Sequence, residues 1–208
     1  MSLLTNWGYI LPDIDTLPDM LTVEAFDDFT ADKYSGDART EKNISAASTA
    51  IRNYCGWHVY PSLPCTLKTT LHDRRVTWVR GDLLVQLPAS YVTEVSSVKI
   101  GGVDCSTFTI EPNGLLKVYG THAACMAEYT AVEVNYTAGI PDSLMGGIEE
   151  LIAHRVTHAL ASSAGVQSET AGGVSITYSV NWINSARSTA LADDNKEVLA
   201  PYKVKGVF

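Results

Sequence analysis

The sequence predicts an α+β protein: an antiparallel helical core of about four helices, with a small antiparallel β-sheet or sandwich inserted into it. Three observations carry that prediction. Apolar residues recur at helical spacing towards both ends of the chain. They alternate at period two from about Val59 to Thr137. Gly-, Pro- and Asn-containing turn signals punctuate the alternating stretch. Of 208 residues, 46% are hydrophobic and 18% charged, so the chain has the apolar content to bury a core.

Residues 1–21 hold Pro12 and Pro18 among scattered apolar residues and read as an extended N-terminal arm that needs a surface to lie on. Thr22 is a natural N-cap for a short helix with Val23, Phe26 and Phe29 at three-residue spacing. Glu24 sits in its first turn, where a carboxylate favours the helix dipole. After Ser35-Gly36, a helix is expected from Asp37 to Cys55, because Ile44, Ala47, Ile51 and Tyr54 share one face. Gly56 is its stop. Residues 22–58 and 138–200 thus form the helical core, and residues 59–137 the inserted β domain.

Within the insertion, about seven short strands are expected. Candidates are Thr66–Leu71, Arg75–Val79, Leu83–Leu87, Val95–Ile100, Phe108–Ile110, Leu115–Tyr119 and Ala131–Tyr136. Gly81-Asp82, Gly101-Gly102 and Pro112-Asn113-Gly114 mark turns between them. After Gly139-Ile140-Pro141, Asp142 or Ser143 caps a helix reaching Ser163, with Met145, Ile148, Ile152, Val156 and Ala159 on one face. The pair Gly146-Gly147 fits either close approach of another backbone or a late-starting helix. A strand or hairpin around Val174–Tyr178 follows. A last helix from Ser188 is stopped by Pro201, leaving residues 201–208 as a tail.

Charge and cysteine content narrow the function. The net charge is −8, which argues against a free-standing nucleic-acid-binding domain, since that must neutralise phosphates. The acids gather in Glu24, Asp27, Asp28, Asp32, Asp37 and Glu41, a pattern usual for a solvated helix face. Cys55, Cys65, Cys105 and Cys125 form no CxxC pair, which points to reduced thiols in the cytosol rather than to zinc or a disulfide framework. Residues Met1–Gly8 lack the basic-then-apolar pattern of a signal peptide, and no apolar stretch approaches the ~20 residues of a membrane helix.

Candidate chemistry is sparse. Glu150, His154 and His158 are spaced by four and project from one side of a helix. Two His at that spacing suit zinc, and a metal-dependent hydrolase is the rival they suggest. The H-E-x-x-H pattern nevertheless needs Glu after the first His, where this chain has Arg155. A polar stripe with Glu150–His154 as a helix pair is the plainer reading. Nothing places His58, His72 or His122 beside Asp73 or Asp82, and structural or solvated roles are expected for each. Trp57, Trp78 and Trp182 suggest a sugar-binding β module, but Trp78 alternates with Val76 as a core residue would. No Walker A, G-x-S-x-G or G-x-G-x-x-G sequence is present, and no enzyme, cofactor or metal site is expected.

Two stretches taken together carry a resemblance. One is Leu21-Thr22-Val23-Glu24-Ala25-Phe26 with the helix ending Ile51-Arg52-Asn53-Tyr54-Cys55-Gly56-Trp57. The other is Val132-Glu133-Val134-Asn135-Tyr136-Thr137-Ala138-Gly139-Ile140-Pro141, the long helix, Gln167–Tyr178 and the closing Val198-Leu199-Ala200-Pro201-Tyr202. In this order they resemble the head–tail connector, or head-completion adaptor, family of tailed bacteriophages. Leu87-Pro88 through Val95–Gly102 looks like the β insertion of some members. The resemblance implies a structural virion protein of the neck, assembled in the host cytoplasm. It implies a dodecameric ring on the portal protein that extends the DNA channel and offers a docking platform to a tail or stopper protein. Passing genomic DNA would touch it transiently and non-specifically, and no membrane is involved. The C-terminal segment would reach the portal, which here means Leu199, Pro201, Tyr202, Lys203, Lys205 and Phe208. On such a ring, Glu24, Asp27, Asp28 and Asp32 are candidate channel-lining acids that would repel phosphate.

Overall fold

The computed structural model describes residues 2–120, 130–161, 168–171, 174–177, 191 and 193–204. The expected mixture of helix and antiparallel sheet is present, but β structure is more extensive than an insertion into a helical protein. Two compact units form. The first comprises Met1–Leu17, Cys55–Pro141 and Tyr202–Phe208; the second comprises Pro18–Tyr54 and Asp142–Pro201.

The N-terminal residues belong to the β unit. Strands β1 (Ser2–Leu4) and β2 (Ile10–Pro12) pair as a hairpin, and Ile10 pairs with Thr66 of β3 (Leu63–Thr70). The surface the N-terminal arm needs is thus the edge of a sheet, and Tyr9 and Leu11 are fully buried. Beyond β3 come β10 (Ala131–Ala138), β6 (Val92–Ile100) and β7 (Val103–Asp104), giving the order β1-β2-β3-β10-β6-β7.

The alternation read in the sequence decides the two faces of this sheet. On β10, Val132, Val134, Tyr136 and Ala138 point into the core. The intervening residues form polar rows across the sheet. Glu133 is aligned with Lys68 and Lys99 and lies 3.3 Å from the Lys68 ammonium. Thr66 Oγ1 donates to Asn135 Oδ1 at 2.7 Å, and Asn135 Nδ2 donates to Ser97 Oγ at 2.9 Å. Cross-strand pairs of this kind fix register, because a one-residue slip would bury them.

A second sheet has the order β4-β5-β9-β8, from β4 (Val76–Val79), β5 (Asp82–Gln86), β9 (Leu115–Val118) and β8 (Phe108–Glu111). Leu83, Val85, Leu116 and Val118 are buried on its apolar face. Trp78 is aligned with Leu83 on that face, yet it remains 43% exposed because β4 is the last strand. The core position expected for Trp78 is therefore corrected. Arg80-Gly81 turns the chain between β4 and β5 with positive φ at both residues, the conformation of a two-residue hairpin.

The second unit holds α1 (Val23–Thr30), α2 (Thr40–Cys55, its last residue counted with the β unit), α3 (Gly146–Ala161), α4 (Asp193–Leu199) and the hairpin β11 (Ser168–Ala171)–β12 (Val174–Thr177). Thr22 caps α1, its hydroxyl accepting from Ala25 N–H at 3.1 Å. Gly56, at φ +77, ends α2 as expected. Helix α3 begins at Gly146, and a Cβ on Gly146 or Gly147 would meet nothing, so the glycine pair marks a late start rather than close packing. Leu160, not Ala159, completes its buried face with Ile148, Ile152, Ala153 and Val156. Helix α4 is shorter than the Ser188–Ala200 expected; residues 178–190 lie outside those described.

Candidate functional site for assembly

The strongest cluster of buried polar groups lies in the β unit, where sequence-distant segments meet. His58 is fully buried. Its backbone N–H donates to the Tyr9 hydroxyl oxygen at 3.0 Å, Nδ1 lies 2.7 Å from the same oxygen, and Nε2 faces the Ala138 carbonyl, which can only accept. Nδ1 therefore accepts, and Nε2 carries the proton donated to the Ala138 carbonyl at 2.9 Å. The plain reading of this histidine, a satisfied core group, holds.

The next residues explain the Ala138-Gly139-Ile140-Pro141 stretch. Ile140 N–H donates to Val59 O at 2.8 Å and Gly139 N–H to Tyr91 O at 3.1 Å. Gly139 sits at φ +140, and a Cβ there would lie 2.3 Å from both Pro61 O and Ser62 Cα. Only glycine lets the strand end pass so close to another backbone.

The chain's C-terminal part is tied to the same place. Trp57 Nε1–H donates to the Tyr202 carbonyl at 2.7 Å, and Val204 N–H donates to the Cys55 carbonyl at 2.9 Å. Trp57 is fully buried, so it offers no platform for a sugar. Leu199 is also fully buried, whereas Pro201 and Lys203 are exposed and Tyr202 is half-buried. Lys205, Phe208 and Trp182 lie outside the described residues. Burial pushes the Cys55 thiol up to about 12, and burial likewise pushes Cys65 up to about 12. Both are inert, protonated core groups. Cys125 falls outside the described residues.

On α1 and the turn after it, Glu24, Asp28 and Asp32 are exposed and Asp27 is half-buried. Asp27 Oδ1 is covered and has no hydrogen-bond partner among the described residues. Phe29 on the same helix is 47% exposed and meets the His154 ring edge-on at 5.3 Å. His154 Nε2 lies 3.6 Å from Glu150, the helix pair anticipated from their spacing. Burial, with the nearby His154 second, holds His158 below the ordinary histidine value. Among the described residues, no three His, Cys, Asp or Glu side chains gather as a metal-binding set. No helix among them is long and apolar enough to cross a membrane.

A second exposed region was missed by the sequence reading. Among the described residues strand β4 pairs only with β5, and its Trp78 and Val79 are each 43% exposed. Arg74 precedes the strand and Arg80 follows it; both are exposed. The nearby Arg75 is already held by Asp73 at 3.0 Å, and Asp82 by Lys117 at 3.3 Å. The alternation of Val76 with Trp78 could signal an apolar face but not that this strand ends the sheet.

Comparison with known proteins adds three findings. The model of the family described as head completion protein matches residues 19–191. No curated protein matches the chain. Among solved structures, a chain of the virion of native gene transfer agent (GTA) particle is similar, with a TM-score of 0.54 and 16% identity over 95% of this chain and 97% of that one.

Proposed function

The chain belongs to the head completion protein family, and we propose that within it this protein is a head–tail adaptor of the virion neck. Several copies, twelve as the family resemblance implies, form a ring on the portal protein. The ring extends the DNA channel and gives a tail or stopper protein its docking platform. The similarity of almost the whole chain to a chain of a gene transfer agent virion supports the reading, because the likeness spans both compact units.

The observation that carries the portal-facing role is the anchoring of the C-terminal segment. The backbone of Tyr202 accepts from the Trp57 indole N–H, and that of Val204 donates to the Cys55 carbonyl. The chain is therefore held to the β unit as far as Val204. Lys205 and Phe208 supply a cation and an aromatic ring for the portal contact. Leu199 serves the core on this reading, and the portal-binding set narrows to the residues beyond it.

The test is electron microscopy of the full chain mixed with its portal, beside a chain ending at Val204. The native chain is expected to form a collar on the portal. The shortened chain is expected to keep its unfolding midpoint and the emission of buried Trp57 but to lose the collar. A native chain that stays monomeric and ignores the portal overturns the reading. A shortened chain that still binds removes the C-terminal assignment.

A further inference from the structure

We propose that the open edge of β4, flanked by Arg74 and Arg80, docks against the acidic face of α1 in a second copy of this chain; the inference rests on the adaptor reading above.

The β4 side presents two exposed apolar residues, Trp78 and Val79, between two exposed guanidinium groups. The local carboxylates are taken: Asp73 holds Arg75 and Asp82 holds Lys117. Among the described residues, Arg74 and Arg80 make no ion pair. An open, partly apolar strand edge attracts other chains unless something covers it or repels the wrong partner. Two copies of β4 pairing antiparallel would bring Arg74 of each towards Arg80 of the other. Like charges meeting this way disfavour a two-fold edge-to-edge contact. The occupant that suits the edge is therefore acidic and carries an exposed apolar group.

This chain supplies such a surface. Glu24 and Asp28 are exposed and four residues apart on α1, so they share one side of the helix. Asp32 follows on the turn, and Phe29 adds a 47%-exposed ring. No ion pair engages Glu24, Asp28 or Asp32 among the described residues. Two surfaces that differ from each other make a head-to-tail contact, which propagates around a ring when the rotation closes. Exposed ion pairs are weak singly, so the contact holds through closure and through the ordered apolar groups between the charges. Glu24 and Asp28, read from sequence as candidates for the channel lining, are assigned here to the joint between neighbours.

Charge reversal tests the pairing. One variant carries Arg74→Glu and Arg80→Glu; a second carries Glu24→Arg and Asp28→Arg. Copy number on the portal is counted by electron microscopy and mass photometry, with circular dichroism for each variant. Each variant alone is expected to lose the full ring, since like charges then face each other at every joint. Mixed one to one, the two are expected to restore it, because in an alternating ring every joint again pairs opposite charges. The recovered ring is also expected to contain equal amounts of both variants. Complete rings from the Arg74→Glu/Arg80→Glu variant alone overturn the contact. So does a mixture of two folded variants that fails to form rings. If the native chain itself forms no collar, the adaptor reading falls and this contact with it; a native collar beside indifferent variants removes the contact only.

Discussion

The junction around His58 and the edge of β4 are both parts of the β unit, and they are built on opposite terms. At the junction, the Tyr9 hydroxyl, both His58 ring nitrogens and the Ala138 carbonyl have partners. At the edge, Trp78, Val79, Arg74 and Arg80 are exposed. The first arrangement fixes one chain's fold, because buried polar groups tolerate no change of partner. The second leaves apolar and charged groups for something outside the chain. Substitutions at the junction should therefore cost stability, and substitutions at the edge should cost assembly.

Gly139→Ala should give the largest loss. Its Cβ would stand 2.3 Å from the backbone at Pro61 and Ser62, and backbone cannot swing away as a side-chain tip can. We expect about 3 kcal/mol or more in urea unfolding, or failure to fold. Gly56→Ala is the control. Gly56 shares the positive φ, at +77, but nothing lies within 4 Å of the added carbon, so only the left-handed conformation is penalised, at about 1 kcal/mol. Equal losses at the two positions would show that close approach at Gly139 is not what makes glycine necessary.

Tyr9→Phe should come between them. It removes the hydroxyl that bonds both the His58 N–H and Nδ1, while the ring still fills its place. Loss of both bonds to these buried groups costs about 2–3 kcal/mol. A neutral outcome would mean that water enters and satisfies them.

Much of the fold was legible because local rules suffice for it. Thr22 caps α1 and Gly56 stops α2 by chemistry contained within a few residues. The period of two in Val132, Val134 and Tyr136 marks the buried side of β10 directly. What was not legible depends on which segments meet. The N-terminal arm joins β3 through the pairing of Ile10 with Thr66, and no pattern in residues 1–21 announces that partner. Trp78 has the alternation of a core residue, but its exposure follows from β4 being terminal in the strand order. Gly139 stood in the Ala138–Pro141 stretch as a feature of resemblance; its physical reason appeared only when Pro61 was placed against it.

Two turns of the same sequence type extend the comparison to pH. In Asp37-Ala38-Arg39 and in Asp73-Arg74-Arg75, the Asp accepts from the backbone N–H and guanidinium of the Arg two residues on. The Arg39 hydrogen bonds hold Asp37 down at about 2, and those of Arg75 hold Asp73 still further below the ordinary 3.8. A depressed carboxyl pKa stabilises the fold above the ordinary value, and the contribution is lost as pH falls through the folded one. Arg75 is also only 25% exposed and donates to the Trp7 carbonyl, while Arg39 is 59% exposed. Asp73→Asn should therefore flatten stability between about pH 4 and pH 2 more than Asp37→Asn, as read by urea midpoints across that range. An equal effect would mean that the more shielded surroundings of Asp73 add nothing to its pairing with Arg75.

The smallest expected change in stability is at the β4 edge, and it separates the two regions most sharply. Arg74→Glu with Arg80→Glu removes no ion pair among the described residues and uncovers no buried group. Exposed substitutions of this kind usually stay within about 0.5 kcal/mol. The urea midpoint of the isolated chain should accordingly match the native one, while ring formation is lost. A destabilisation as large as that of Tyr9→Phe would make the two arginines part of the fold, and the open edge would then owe its exposed Trp78 to sheet order alone.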